Sequence, residues 1–391
     1  MPSRAFVTFL ALVVVAVLAW FLPLRARFGG RSASGRELLA RQQARAEAEA
    51  AQTILPPRHP PPPTVAQPDF PRLPGVAKAA PHPTHTPPAS PRARLMTTLF
   101  TAEGELPKVP ADVLERWLAA GRNTPAGLLA ARQTGQNAGY LEKALDQFPH
   151  DPRVLVAATA RSQDAPEVRR DRLDRLQAAA PDNSLADYLS ARDHLKEGRP
   201  DEALKDLAAA AAKPRFDDYT LDSALAAEEL YLAAGFSPAE AKAYGTSSTL
   251  LPHLAILKGL GQDLAGLEER YRAAGDQASA EKVARWGMRL GERLAGPQGA
   301  WTAIGELTGL TIEKAVLQKL DPHFTGDFVQ GTAADHLAQL DARRAVLQEN
   351  SRLFESWMKQ AGDAEITAYF DRLKVQGESA ALRWMRERLG P

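Results

Sequence analysis

Apolar and polar residues follow two different patterns along the chain. The first is a block at residues 5–24 that contains no charged side chain and a single hydroxyl, Thr8. Its length of about 20 residues gives ~30 Å of helix, which matches the hydrocarbon core of a bilayer. Arg25 and Arg27 follow at once, in the position where charged residues end a membrane span. The pattern predicts a tail at residues 1–4 and one transmembrane helix.

A cleaved signal peptide is the alternative for this block. Its apolar region usually spans about 7–15 residues before a cleavage site of small residues, whereas this span is longer and Pro-Leu-Arg-Ala-Arg follows it. Two arguments disagree on which side of the membrane the soluble domain lies. The arginines after the span favour a cytoplasmic domain, while the short N-terminal tail and the long stalk favour an extracytoplasmic one. We expect a single-pass protein with an extracytoplasmic domain.

A charged and then proline-rich stalk follows the predicted membrane helix. Residues 25–55 begin with arginines and continue in strong helix formers, which predicts a basic juxtamembrane segment and a charged helix. Residues 56–91 contain 14 of the 30 prolines of the chain. Proline fixes φ and removes an amide donor, so this segment extends to at most ~110 Å as polyproline II. We expect a disordered linker over residues 56–95.

Beyond the linker, apolar residues recur at helical spacing. The sequence is rich in Ala, Leu, Glu, Arg, Lys and Gln and nearly lacks alternating β-branched runs, which predicts an all-α fold. Glycines and prolines mark the expected helix ends in the last part of the chain. The expected helices there span residues 250–273, 276–295, 300–320, 332–361 and 363–389, with a break near Gly377.

The region before residue 250 contains an internal repeat. Helix-ending prolines recur at Pro149, Pro181 and Pro214, with spacings of 32 and 33 residues. One helix, a short break and a second helix fit between consecutive prolines, which is the unit of an α-solenoid. The clearest unit runs from Ser184 to Pro214. Its pattern-bearing residues are Ala191, Gly198, Pro200, Ala203, Leu204, Leu207 and Ala210.

This unit resembles a tetratricopeptide repeat. That family has a small residue in the first helix, a glycine at the turn, Ala-Leu early in the second helix and a closing proline. The resemblance covers about Ala126 to Tyr244, and the flanking units are degenerate, with Ala165-Pro166 in place of one turn glycine. It implies repeats over residues 96–249 and a helical bundle or solenoid cap over residues 250–391. A generic helical bundle is the alternative.

Charge is distributed unevenly along the chain. The formal net charge is +1, but residues 1–92 hold 11 basic against 4 acidic side chains, so the remainder carries a net charge of −6. A mildly acidic domain is a poor ligand for phosphate backbones, and we expect no nucleic-acid partner. Cysteine is absent, which excludes disulfides, thiolate metal sites and cysteine nucleophiles.

No stretch of the sequence carries a catalytic signature. The glycine-rich residues 259–266 follow a helix and lack the Lys-Ser/Thr ending of a phosphate loop. The histidines beyond the linker show no metal-ligand spacing. The large tryptophans, among them Trp286 and Trp357, are expected mainly in the core, with an exposed groove as the alternative. We therefore expect no cofactor, no metal and no small-molecule substrate.

These features predict a non-enzymatic, membrane-tethered scaffold or adaptor that binds a protein or peptide. The tetratricopeptide resemblance implies partner contacts on the first helix of a repeat, at Asp187, Ser190, Arg192 and Asp193. One alternative is an envelope enzyme with a site among residues 250–391. Another is a structural spacer between the membrane and a surface layer.

Overall fold

The computed structural model describes residues 90–101, 104–159, 164–296, 299 and 301–389. The predicted membrane helix, the charged segment and nearly all of the predicted linker lie outside these residues. Contacts divide the chain into two units, residues 1–94 and 95–391. The second unit contains nearly all of the described residues.

Every regular element of the described residues is helical, and this part of the chain contains no strand. The helices are α1 Pro91–Phe100, α2 Ala111–Trp117, α3 Pro125–Gly135, α4 Gly139–Gln147, α5 Pro152–Thr159, α6 Pro166–Ala179, α7 Ser184–Lys196, α8 Pro200–Ala212, α9 Thr220–Ala233, α10 Pro238–Ser247, α11 Pro252–Ala273, α12 Gln277–Ala295, α13 Ala303–Leu317, α14 Ala333–Gln360, α15 Asp363–Gln376 and α16 Glu378–Leu389. A short π-helical turn, Leu118–Arg122, follows α2. None of the described helices is both long enough and apolar enough to cross a membrane.

Local signals set most helix ends. The side chains of Ser237 and Thr332 accept backbone N–H bonds in the first turns of α10 and α14, and each contact is worth about 1 kcal/mol. Proline occupies the first turn of α8 and α11, where no amide donor is needed. Gly377 separates α15 from α16 with φ of 84°, a conformation that other residues rarely adopt. The expected break at this glycine is confirmed.

The unit at residues 184–214 forms the helical hairpin that its sequence predicts. Ala191 of α7 and Ala203, Leu207 and Ala210 of α8 are fully buried where the two helices meet. Gly198 makes the turn between them with φ of 70°. Small residues at the seam let the two backbones approach closely, so the hairpin is set by this local pattern.

Consecutive helices pack as pairs, which makes this part of the chain helical-repeat-like and compatible with an α-solenoid. In a simple solenoid each unit contacts only its neighbours. Here α9 also packs on α3, and α11 packs on α7. These two contacts join helices that are 50 residues or more apart in the sequence, and they cover faces that an open solenoid leaves exposed.

The apolar core consists of three clusters. The first joins α1–α5 to α9, α10, the start of α13, the end of α14, α15 and α16, and it contains Trp301 and Trp357. The second lies among α5–α8, α11 and α12 and contains Trp286. The third is enclosed mainly by α12, α13 and α14. The expectation that the tryptophans belong mainly to the core is confirmed for these three, whereas Trp117 and Trp384 are half-buried at the edge of the first cluster.

Candidate functional site

The four residues that the repeat pattern singled out lie on α7, and their side chains contact other helices of the same chain. Asp187, Ser190 and Asp193 are at most 4% exposed. Lys213 pairs with Asp187 at 2.6 Å, and Arg169 donates to Asp193 at 2.5 Å. Ser190 accepts a hydrogen bond from Arg170 and donates one to Asp206.

Arg192 extends this internal network to α11, where it pairs with Asp263. In the present structure the four side chains therefore connect α6, α7, α8 and α11. Their contact with a partner stays a prediction, and it requires a conformation in which these internal contacts are broken.

A groove of about 290 Å³ lies instead between α8 and α12, close to the end of α11. Its lining residues are Leu204, Lys205, Ala208, Tyr271, Ser279, Lys282, Val283 and Trp286. Trp286 and Val283 form a buried apolar floor, since they are 7% and 1% exposed. The groove is therefore an apolar depression with polar groups at its edge.

Basic side chains from both helices stand at the edge of this groove. Nζ of Lys282 lies 5.1 Å from the ring centroid of Trp286, a cation–π contact. Lys205 is exposed and has no ion pair or hydrogen bond among the described residues. Arg289, two turns beyond Lys282 on α12, is likewise exposed and forms no ion pair within the described part of the chain. Arg289 is not part of the groove lining, so the rim presents two cations, Lys205 and Lys282, and neither is in a salt bridge with a described carboxylate.

No family model, curated protein or solved structure matches this chain. Two features of the fold remain as candidate sites, the groove between α8 and α12 and a buried polar pair. The sequence contained a weak signal for the groove, because Lys282 and Trp286 are one helical turn apart. Leu204 and Lys205 lie some 75 residues earlier, and only the fold brings the two segments together.

The buried pair consists of Asp218 and His253, which lie before α9 and at the start of α11. Nε2 of His253 is 3.1 Å from Oδ2 of Asp218, and both side chains are at most 8% exposed. The Thr220 hydroxyl donates to Asp218 at 2.6 Å and accepts from Nε1 of Trp301 at 2.7 Å. Burial alone would raise the pKa of Asp218, but its contacts with His253 and Thr220 outweigh burial and lower it.

This pair adjoins a cavity of about 40 Å³, which has room for roughly one water molecule. Tyr219, next to Asp218, adopts a left-handed conformation with φ of 58°, which costs a non-glycine residue free energy. In this conformation the cavity is too small for an organic substrate. The hydrogen bonds instead connect the starts of α9, α11 and α13, which indicates a structural role.

Replacing Asp218 with alanine is expected to reduce the free energy of unfolding by about 2 kcal/mol, because His253 and Thr220 lose a buried acceptor. Urea unfolding followed by circular dichroism measures the change. Asp222→Ala is the matched control, since this half-exposed carboxylate has only a 3.5 Å contact with Arg153. Equal stability of the two variants would contradict the structural role of the pair.

Proposed function

We propose that the protein is a membrane-tethered helical scaffold that binds a protein or peptide partner and has no catalytic role. The observation that supports this proposal is the apolar groove between α8 and α12. Ligand sites are usually concave, largely apolar and edged by a few polar groups, and this groove has each of these features. At about 290 Å³ it suits an anchoring side chain of a larger partner rather than a whole organic molecule.

The surroundings of the groove make it a rigid platform. Leu207 of α8 and Leu290 of α12 are fully buried in the cluster beneath it. A preformed surface of this kind binds a partner with little loss of conformational entropy, because packing already fixes the apolar side chains of its floor. We propose further that the α7–α8 hairpin is a tetratricopeptide-like unit whose second helix, rather than its first, meets the partner.

The tether belongs to the same proposal. The uncharged residues 5–24 would anchor the chain, and the proline-rich residues 56–95 would hold the helical domain away from an extracytoplasmic membrane surface. A spacer of this kind increases the local concentration of the domain near the membrane without fixing its orientation. Partner capture at a distance from the bilayer is the role that this arrangement supports.

A photo-crosslinking amino acid placed at position 208 of the full-length chain tests the proposal in cells. Ala208 is exposed and lines the groove, whereas Ala209 is exposed on the same helix and is not part of the lining. We expect one dominant crosslinked protein from position 208. The yield of the same product from position 209 should be at least fivefold lower. Equal or irreproducible crosslinking from the two positions would contradict a partner site at the groove.

A further inference from the structure

We propose that the groove between α8 and α12 binds an acidic segment of its partner. In this arrangement one large apolar side chain of the segment lies over Trp286, and flanking carboxylates pair with Lys205 and Lys282. The inference rests on the proposed function, because it specifies the chemistry of the partner at the same groove. The partner segment would thus have two features, an apolar anchoring side chain and a negative charge.

The apolar anchor follows from the size and lining of the groove. The available volume is about ten times the ~30 Å³ that a water molecule occupies in the liquid. Leu204, Ala208, Tyr271, Val283 and Trp286 supply most of the lining. Water against this surface gains little by hydrogen bonding, so an aromatic or branched aliphatic side chain that displaces it is stabilised by apolar burial.

The negative charge follows from the cations around the groove. Lys205 has no ion pair among the described residues, and Lys282 contacts the Trp286 ring. The basic character continues along α12, where Arg285 pairs with Asp327 and Arg293 donates to two backbone carbonyls at the end of α8. Carboxylates of a partner would form ion pairs with the exposed cations at the groove.

The nearest acids of these two helices form no ion pair with the two lysines. Among them Asp276, the cap of α12, accepts the backbone N–H of the groove-lining Ser279 at 3.0 Å. Asp201 and Glu202 lie in the first turn of α8, and neither forms an ion pair with the lysine of that helix. Glu281 of α12 accepts a hydrogen bond from a glutamine of the same helix at 3.0 Å. Glu292 attracts Arg289 without forming a salt bridge, and both residues lie beyond the groove lining. The two lysines at the edge of the groove are therefore exposed cations without a salt bridge among the described residues, and they attract an acidic segment at short range.

A protein segment fits these observations better than a nucleic acid or a lipid surface. The residues from 93 onward carry a net charge of −6, which opposes the approach of a long polyanion. The ring of Trp286 is only 7% exposed, so it forms a floor for an inserted side chain rather than a platform on which bases stack. A short acidic segment would contact only the lysines at the edge of the groove.

Labelled peptides of about 12 residues test both features against the full-length chain in detergent. The first peptide carries Asp and Glu on both sides of a central Phe. The second has Ala in place of Phe, and the third has Lys in place of the acids. Fluorescence anisotropy at about 100 mM salt is expected to show binding of the first peptide, at least fivefold weaker binding of the second, and none of the third.

The double variant Lys205→Glu/Lys282→Glu is expected to weaken binding of the first peptide by roughly tenfold or more, because both rim charges are reversed. Lys108→Glu/Arg383→Glu changes the net charge equally at two exposed positions away from the groove, and its affinity should stay within about twofold of the unaltered chain. Both pairs are on the surface, so folding is preserved. Circular dichroism checks that it is.

Three results would overturn the inference. One is equal binding of the acidic and basic peptides, and another is equal loss of affinity in the two double variants. The third is that anionic vesicles or a single-stranded oligonucleotide, but not the first peptide, bind in a way that Lys205→Glu/Lys282→Glu abolishes. If groove-specific crosslinking from position 208 persists in these cases, the scaffold proposal stands and only the acidic chemistry fails. Loss of that crosslinking contradicts both.

Discussion

Replacing Gly309 with alanine is expected to reduce the free energy of unfolding by about 3 kcal/mol, although alanine is ordinarily the better helix former. Gly309 lies where α13 crosses α12. A Cβ atom at this position would be 2.5 Å from the carbonyl oxygen of Gly291 and 2.6 Å from the amide nitrogen of Ala295. Both atoms belong to the backbone of α12, so rotation of a side chain cannot relieve the clash.

The two helices would have to separate to admit the methyl group. Protein interiors are close-packed, and such a shift disturbs side chains well beyond the point of contact. Leu310 and Val316 of α13 and Met288 of α12, all buried in the third cluster, depend on the same crossing. The loss of their packing outweighs the gain of up to ~1 kcal/mol in helix propensity.

Thermal and urea unfolding of Gly309→Ala, followed by circular dichroism, measure this effect. Gly266→Ala in α11 is the control, because a Cβ atom at that helical position meets nothing within 4 Å. The control is expected to be more stable than the unaltered chain by about 0.5–1 kcal/mol. A stabilising effect of both substitutions would show that α12 and α13 are not in close backbone contact at this crossing.

Replacing Glu313 with glutamine is expected to stabilise the protein above neutral pH and to leave its stability nearly unchanged near pH 4. Glu313 lies on α13 and is 4% exposed. Burial, reinforced by the nearby Glu292 and opposed by Arg343, raises its pKa to about 8. His336 of α14 also faces it, with Nε2 3.8 Å from the carboxylate, and burial lowers the pKa of this histidine.

The sign of the effect follows from proton binding. The carboxyl group titrates near its ordinary value of 4.5 in the unfolded chain and near 8 in the folded one. Between these values the unfolded chain binds fewer protons, so stability falls as pH rises, by up to ~1.4 kcal/mol per pH unit. The total reaches on the order of 4 kcal/mol at pH 8. Glutamine resembles the protonated acid and removes this loss.

Unfolding midpoints measured from pH 4 to pH 8.5 test the prediction. The difference between Glu313→Gln and the unaltered chain should grow with pH from nearly zero. His336 has the opposite dependence, since its lowered pKa costs stability as pH falls below about 6.5. Because it contacts Glu313, its contribution need not cancel at lower pH. Above about pH 6.5 the histidine is neutral in both proteins, and the difference there reports the carboxyl group. Glu387→Gln, at an exposed glutamate of α16, is the control, and a pH-independent difference for Glu313→Gln would contradict its burial as a neutral acid.

Much of the secondary structure was predictable because its determinants are local. The expected helices at 250–273, 276–295 and 332–361 agree with α11, α12 and α14 within two residues at each end. Prolines, capping hydroxyls and glycines act within one turn of the helix end that they define. The expected helix at 300–320 was too long, because Thr302 caps α13 and the helix ends at Leu317.

The candidate sites were less predictable because they depend on contacts between distant segments. Nothing in the repeat pattern indicates that α11 packs on α7 and that Arg192 pairs with Asp263. An exposed first-helix face, as the resemblance implies, was therefore a reasonable expectation from sequence. Apart from the spacing of Lys282 and Trp286, the groove left no signal in the sequence, since Lys205 and Lys282 belong to helices of different hairpins.

The sequence by itself determined the all-α character of the helical domain, the ends of its helices and the hairpin of α7 and α8. Each depends on residues a few positions apart, through capping, proline and glycine geometry and the spacing of apolar side chains. Only the tertiary structure decided which helix faces were covered and where the groove formed. Many amphipathic helices of similar pattern satisfy the same local rules, and the choice among their pairings depends on close complementarity, as between Gly309 and the backbone of α12.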